Sequence, residues 1–273
     1  MKPKVILITG ASSGIGYNTA KMLAEQGHKV YGAARRVEKI EPLASCGVVA
    51  LKMDVTDQAS MEAGVQQVID AEGRIDVLVN NAGYGYFGAI ENVSMEDARR
   101  QLEVNVFGLA ALTRLVLPHM RAQKSGRIVN LASVAGKTVF QFGGWYHVSK
   151  YSVEALSDAL RIEMKPFGID VCIIEPGAIK TDWGLIAADH LEESSRGSAY
   201  EKAGNAQAAF MRKAYTGNYI SKPIVISKAI SRAVNSRHPK TRYLTGFGSH
   251  AAIFFHWLLP DRWWDAIMRK AGK

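Results

Sequence analysis

The chain of 273 residues is 48% hydrophobic and 22% charged, which fits one soluble domain able to bury a substantial core. A formal net charge of +9 raises nucleic acid or an anionic membrane as partners, but the basic residues are spread along the chain without an aromatic-interleaved repeat. That spread argues against nucleic acid and for an anionic small ligand. Cys46 and Cys172 lack CxxC spacing and the seven histidines lack ligand spacing, so neither a disulfide framework nor a metal site is expected.

The opening "KVILITG" reads as a buried strand ending in glycine, and its apolar run is too short for a signal peptide. A helix follows over "GIGYNTAKMLAEQG". Between them, "TGASSGIG" places Gly10, Gly14 and Gly16 where a backbone can approach a ligand closely and a helix N-terminus can meet a phosphate. The second strand, "HKVYGAA", runs into Arg35 and Arg36, and the first acid, Glu38, lies beyond the strand end. An acid at that place would hold an NAD ribose, whereas guanidinium pairs with a 2′-phosphate. NADP(H) is therefore favoured, with NAD(H) left open.

Strand patterns continue in "GVVALKMD", "RIDVLVNNAG", "GRIVNLAS" and "IDVCIIEPG". Helical spacing fills "DQASMEAGVQQVIDAEG", "SMEDARRQLEVNVFGLAALTRLVLPHMRAQ" and "YHVSKYSVEALSDALRIEMKPFG", the last stopping at Pro166 and Gly168. Near-continuous apolar strands alternating with helices imply βαβ units. The fold class is α/β: a single Rossmann-type domain over residues 1–273, a doubly wound parallel sheet with helices on both faces. Residues 182–222 form an excursion past a strand end, where such folds cover a substrate. Residues 241–273 form an aromatic-rich, basic extension. It reads first as a packed lid or subunit contact, although Phe254, Phe255, Trp257, Leu258, Leu259, Trp263 and Trp264 with Arg262, Arg269 and Lys270 also suit peripheral contact with a membrane. No apolar stretch is long enough to span a bilayer, so a cytoplasmic location is expected.

In "YHVSK", Tyr146 and Lys150 lie four apart, on one face of a helix. A nearby ammonium favours phenolate and would lower the pKa of the phenol, making it a usable acid and base.

Taken in order, "TGASSGIG", "MDVTD", "NNAG", "VNVFG", "NLASVAG", "YHVSK" and "PGAIKTD" resemble the short-chain dehydrogenase/reductase family up to about Thr181, nearest its steroid- and retinol-dehydrogenase-like branch. The resemblance implies a catalytic set of Ser133, Tyr146, Lys150 and Asn105. Tyr146 would be the general acid/base, Lys150 would bind ribose hydroxyls, Ser133 would hold the substrate carbonyl, and Asn105 would hold a relay water. It implies cofactor contacts at Gly10, Ser12, Ser13, Gly14, Ile15, Gly16, Arg35, Arg36, Asp54, Val55, Asn81, Ala82, Gly83, Tyr146, Lys150, Pro176, Gly177, Ile179 and Thr181. It also implies a homodimer or homotetramer paired through the Tyr–Lys helix. Read singly, Ser133 could be a turn residue, Asn105 a polar group facing a neighbouring helix, and Asp54 a helix cap.

Val139, Phe140, Phe142, Trp145, Trp183 and Leu185 offer apolar walls, so the expected substrate is a lipophilic ketone, aldehyde or alcohol of steroid, retinoid or fatty-carbonyl kind. A 3-oxoacyl-thioester reductase uses the same residues, and a non-catalytic NADP(H)-binding sensor is the alternative of another class.

Overall fold

The computed structural model describes residues 2–270, and the last three residues of the C-terminal extension, 271–273, lie outside the described residues. Seven strands are seen among them: β1 (Val5–Thr9), β2 (Lys29–Ala34), β3 (Val48–Lys52), β4 (Val77–Asn80), β5 (Gly126–Leu131), β6 (Ile169–Pro176) and β7 (Arg242–Thr245). They form one sheet in the order β3-β2-β1-β4-β5-β6-β7, and every pair is parallel. This is the doubly wound arrangement, in which the order reverses beside β1 and ligands bind past the carboxyl ends of the strands.

All five residues of β1 are buried, and successive side chains serve opposite faces. Ile6 and Ile8 join Leu23 of α1 (Gly14–Glu25) and Ile226 and Ile230 of α8 (Ile224–Asn235) on one side. Val5 and Leu7 join α2 (Gln58–Glu72), α4 (Leu109–Ala122) and α5 (Gly144–Met164) on the other. Covering both faces is what allows strands without polar alternation. At β2, Tyr31 to Ala34 are buried, and exposure begins abruptly at Arg35 and Arg36.

The long helical pattern after β4 is not one helix. It divides into α3 (Met95–Leu102), a π-helical segment (Glu103–Gly108) and α4. Asn105 sits in that π segment, a form often found where a helix must re-aim a group. The helix bearing "YHVSK" begins two residues early, at Gly144, and ends as expected, with Gly168 in the left-handed conformation at φ 70°.

The excursion of residues 182–222 contains two full helices, α6 (Asp182–Ser195) and α7 (Glu201–Thr216), packed against each other. Beyond β7 come α9 (Ser249–Leu258) and α10 (Asp261–Lys270). Of their aromatic residues, Trp264 is buried and donates its indole N–H to the Val139 carbonyl at 3.2 Å. Phe254, Phe255, Trp257 and Trp263 stay exposed. No helix among the described residues is long and apolar enough to cross a membrane.

Candidate active site

The β1–α1 turn is built around missing side chains. Gly10 and Gly14 have φ of 67° and 55°, a region costly for other residues. A Cβ on Gly16 would lie 2.3 Å from the Gly10 carbonyl oxygen and 2.5 Å from Asn81 Nδ2. Ser13, the N-cap of α1, makes no side-chain cap bond, and no acid stands in the first turn. The first N–H groups of α1 therefore face outward without an anionic neighbour on their own helix, which suits a phosphate.

The end of β4 is laced to this turn. Thr9 Oγ1 accepts the backbone N–H groups of Asn81 and Ala82, both at 3.0 Å, and Asn81 Nδ2 donates to the Thr9 carbonyl at 2.8 Å. Thr181 closes the other side, its methyl 3.3 Å from where a Gly14 Cβ would be. Gly10, Gly14, Gly16, Asn81, Ala82 and Thr181 are thus brought to one rim. Gly83 continues it toward Asn105 and Lys150, whose Oδ1 and Nζ lie 3.0 and 3.9 Å from the place of its missing Cβ. Ser12 is half-buried and Ser13 exposed in the turn, while Ile15 leans on the core. Asp54 accepts Thr56 N–H and O–H at 3.0 and 2.9 Å, whereas Asp57 caps α2, so Asp54 is a loop residue at the end of β3. The Val55 carbonyl packs under the π segment at Gly108, Pro176 ends β6, Gly177 bonds Thr245 at 2.9 Å, and Ile179 joins the core. These residues line the sheet's carboxyl edge, and the turn fits a dinucleotide.

Tyr146 and Lys150 occupy successive turns of α5, both buried. Ser133 follows β5, caps a short 3₁₀ turn by accepting Ala135 N–H at 3.1 Å, and donates its hydroxyl to the Pro176 carbonyl at 3.3 Å. Asn105 accepts Tyr84 N–H at 3.0 Å and donates to the Tyr84 carbonyl at 2.9 Å and Ser149 Oγ at 3.0 Å. Ser149 in turn donates to the Tyr146 carbonyl at 2.7 Å. The amide thereby clamps the "NNAG" turn to the helix bearing Tyr146.

One expectation is corrected. Lys150 does not lower the phenol: burial pushes the Tyr146 pKa upward, against a weaker pull from a Ser133 hydrogen bond. Lys150 Nζ lies 5.9 Å from the ring centre and donates to the Leu131 carbonyl at 2.8 Å. Burial also pulls the Lys150 pKa down to about 8, partly countered by Glu154. For both groups the desolvation cost of charge is the largest influence.

An aromatic cluster covers Tyr146. Its ring centroid lies 5.0 Å from Trp183 of α6 and 5.7 Å from Phe87, and Phe87 lies 5.8 Å from Phe140. Of the six expected walls, Phe140, Phe142 and Trp183 join this cluster with Tyr146. Val139, half-exposed, borders α10, and Trp145 and Leu185 stand outside the cluster. Phe142 holds φ 64°, a strained backbone for a bulky residue. Sequence reasoning missed Phe87, Tyr215 and the brace His147, whose ring accepts Phe140 N–H at 3.1 Å and bonds the Ala135 carbonyl at 2.9 Å. The one signal for Phe87 was "GYGYF", where Gly85 gives way to Trp183: a Cβ there would lie 2.5 Å from the indole.

Behind the site lies an ionic cluster around two buried carboxyls, Glu154 and Glu175. Glu154 of α5 pairs with Lys137 and Arg242, each at 3.1 Å, and Arg242 also reaches Asp158 at 2.7 Å and Glu175 at 3.3 Å. Burial, then the neighbouring Glu154, pushes the Glu175 carboxyl up to about 7.

Residues 4–188 match the family of the short chain dehydrogenase. The chain is 44% identical over 182 residues to the 3-ketodihydrosphingosine reductase of Bacteroides thetaiotaomicron, covering 66% of each protein. The crystal structure of a short-chain dehydrogenase from Streptomyces avermitilis superposes with a TM-score of 0.80 at 34% identity, covering 94% of this chain and 93% of that one. A metagenomic short-chain oxidoreductase in complex with NADP superposes with a TM-score of 0.61 at 32% identity, over 64% of this chain and 82% of that one. With the glycine turn, the laced β4 end and the Ser–Tyr–Lys–Asn grouping in place on this sheet, the chain belongs to the short-chain dehydrogenase/reductase family and is an oxidoreductase acting on CH–OH groups through a nicotinamide cofactor.

Proposed function

We propose that the protein is an NADP(H)-dependent oxidoreductase that interconverts a lipophilic ketone or aldehyde and its alcohol, of fatty-carbonyl, steroid or retinoid kind. The observation that carries this reading is the setting of Tyr146, a phenol enclosed by Phe87, Phe140 and Trp183 and served by one polar neighbour, Ser133. Such walls favour a carbon frame with a single oxygen brought to the two hydroxyls. The 44% identity to a 3-ketodihydrosphingosine reductase supports the fatty-carbonyl variant.

The β1–α1 turn, Asp54, Val55, Asn81, Ala82, Gly83, Pro176, Gly177, Ile179 and Thr181 would hold the dinucleotide, with Lys150 on its ribose. Exposed Arg35 and Arg36 past β2 would pair with a 2′-phosphate. The NADP complex of the metagenomic relative supports that preference. When bound, the nicotinamide supplies or takes up the hydride.

In the reductive direction the substrate oxygen gains negative charge. Ser133 and Tyr146 donate hydrogen bonds to it, and Tyr146 transfers its proton. The raised pKa of Tyr146 keeps that proton in place until charge develops. In the other direction the phenolate removes the alcohol proton. The Asn105 clamp holds the helix of Tyr146 and Lys150 against the "NNAG" turn while this happens.

The experiment follows nicotinamide absorbance with NADPH and NADH across aliphatic, steroid, retinoid and 3-oxoacyl carbonyls. Turnover of a lipophilic ketone with NADPH supports the reading. Turnover confined to 3-oxoacyl thioesters replaces it with a thioester reductase, and cofactor binding without turnover of any carbonyl replaces it with a sensor.

A further inference from the structure

The segment from Lys137 to Gly143 joins the Ser133 turn to α5 without helix or strand, and it carries Phe140, one wall of the pocket. Its start is fixed by backbone, the N–H groups of Lys137 and Thr138 each donating to the Val134 carbonyl at 2.9 Å. Past that point the Phe140 N–H finds its acceptor on a side chain, Nε2 of His147 at 3.1 Å. Two neighbours of Phe140 are held from other elements. The Val139 carbonyl accepts the Trp264 indole N–H at 3.2 Å, and the Phe142 carbonyl accepts Gly88 N–H at 2.9 Å.

His147 is buried and serves two partners at once. Because Phe140 donates to Nε2, the ring proton lies on Nδ1, which donates to the Ala135 carbonyl at 2.9 Å. Burial lowers the imidazole pKa from its ordinary 6.5, which keeps this neutral form in place. Ala135 in turn donates its N–H to Ser133 Oγ at 3.1 Å. The Phe140 ring crosses the imidazole at 74° with centroids 4.1 Å apart, and it stacks on Phe87 at 5.8 Å. Phe87 itself lies 5.7 Å from the Tyr146 ring. Gly143 clears the space this needs, since a Cβ there would lie 2.8 Å from both His147 Nε2 and Phe140 Cε2. One imidazole thus spans from the turn of the serine to the aromatic wall.

We propose that His147 is a positioning residue for the reaction. Acting through Phe140 and Ala135, it sets the aromatic wall beside Tyr146 and ties that wall to the turn of Ser133. Its effect falls on substrates long enough to lie along Phe140, so it tunes selection for the size of the carbon frame. The assignment rests on the reading that a lipophilic carbonyl binds at Tyr146.

The test compares 2-octanone with 2-butanone, both with NADPH, in wild type, His147→Asn and His147→Gln. Asparagine is too short to reach Phe140 from the same backbone position, whereas glutamine carries an amide oxygen to the neighbourhood of Nε2. His147→Asn should raise KM for 2-octanone ~10-fold, the scale of one buried N–H left without its acceptor, with kcat within about threefold. KM for 2-butanone, which is too short to lean on the wall, should stay within about twofold, as should NADPH affinity. His147→Gln should bring the 2-octanone KM back to within about threefold of wild type. Equal losses on both ketones, a fall in kcat with KM unchanged, or glutamine no better than asparagine would each overturn the proposal, as would an asparagine variant indistinguishable from wild type. If wild type turns over neither ketone, the substrate reading falls, and amide hydrogen exchange over residues 138–142 decides His147. Faster exchange there in the asparagine variant, reversed by glutamine, supports the brace. Equal exchange in all three proteins overturns it.

Discussion

Lys150 Nζ is fixed 2.8 Å from the carbonyl oxygen of Leu131, the last residue of β5 and two positions before Ser133. One strand end thus seats both the ammonium and the serine hydroxyl, and their separation is set by the rigid sheet. Three other donors and acceptors, on Asn105, Ser149 and Tyr146, tie the opposite side of α5 to the β4 loop. The geometry tolerates little drift, because α5 is fastened both to the end of β5 and, through Asn105, to the loop after β4.

Tyr146→Phe should reduce turnover by ~10²–10³ or more, the cost of losing a donor to developing oxyanion charge together with its proton. NADPH binding, followed by fluorescence or calorimetry, should persist. Loss of both would point to misfolding in place of lost chemistry.

Replacing Arg35 and Arg36 together by alanine should weaken NADPH by roughly 10–100-fold and leave NADH nearly unchanged, because charge-assisted hydrogen bonds are worth about 1.5–3 kcal/mol. The ratio of kcat/KM values for the two cofactors is the measurement. An equal loss for both would place the arginines elsewhere.

Gly16→Ala should abolish cofactor binding and lower the melting temperature. The added methyl would sit 2.3 Å from the Gly10 carbonyl, so backbone must shift in a turn already holding two positive φ angles. Forced overpacking of this kind costs ~1–3 kcal/mol. Unaltered melting with normal NADPH affinity would refute it.

Much of this was legible in the sequence. The glycines of the first turn announce themselves because no other residue tolerates their φ or their contacts, and six strands show as apolar runs since both faces are covered. β7 did not show: "RYLT" is four residues long and only half-buried at the sheet edge. Nor did the π segment, because six residues cannot separate its period from that of an α-helix. The pKa of Tyr146 was misjudged in sign because sequence shows the neighbouring Lys150, while the burial that decides it comes from Phe87 and Trp183 on other elements. Tyr215 was invisible for the same reason, its place depending on Gly184 in another helix.

Glu175 gives a pH signature of stability. Its folded pKa is raised to about 7 from a usual 4.5, so the folded state holds a proton that the unfolded state has released between those values. Stability from this group is fully present below about pH 4.5 and is lost as pH rises through about 7. Thermal melts should fall across that window by an amount corresponding to roughly 1–3 kcal/mol. Glu175→Gln, which stays neutral, should flatten the profile between pH 5 and 8. An identical slope in both proteins would rule Glu175 out as its source.

The face of α5 opposite the sheet exposes Val148, Tyr151 and Ile162, with Phe107 of the π segment also exposed. A second copy of the chain is the occupant proposed for it. Light scattering should report a dimer or tetramer, and Tyr151→Asp combined with Val148→Asp should shift the population toward monomer. An unchanged mass would move the subunit contact to another face, the aromatic C-terminal helices being next in order.

Chain order has a consequence for synthesis. Strands β1 to β6, with Ser133, Tyr146 and Lys150, precede Gly177, whereas Arg242 and the rest of β7 arrive almost last. A chain growing from its N-terminus therefore carries the whole chemical site while the outer edge of β6 is still unpaired. During that interval Glu154, Asp158 and Glu175 gather near that edge without the arginine that later joins them. Ionisable side chains beside an open strand discourage the wrong strand from docking. Arg242 admits the right one, acting as a key that only the chain's own final strand carries.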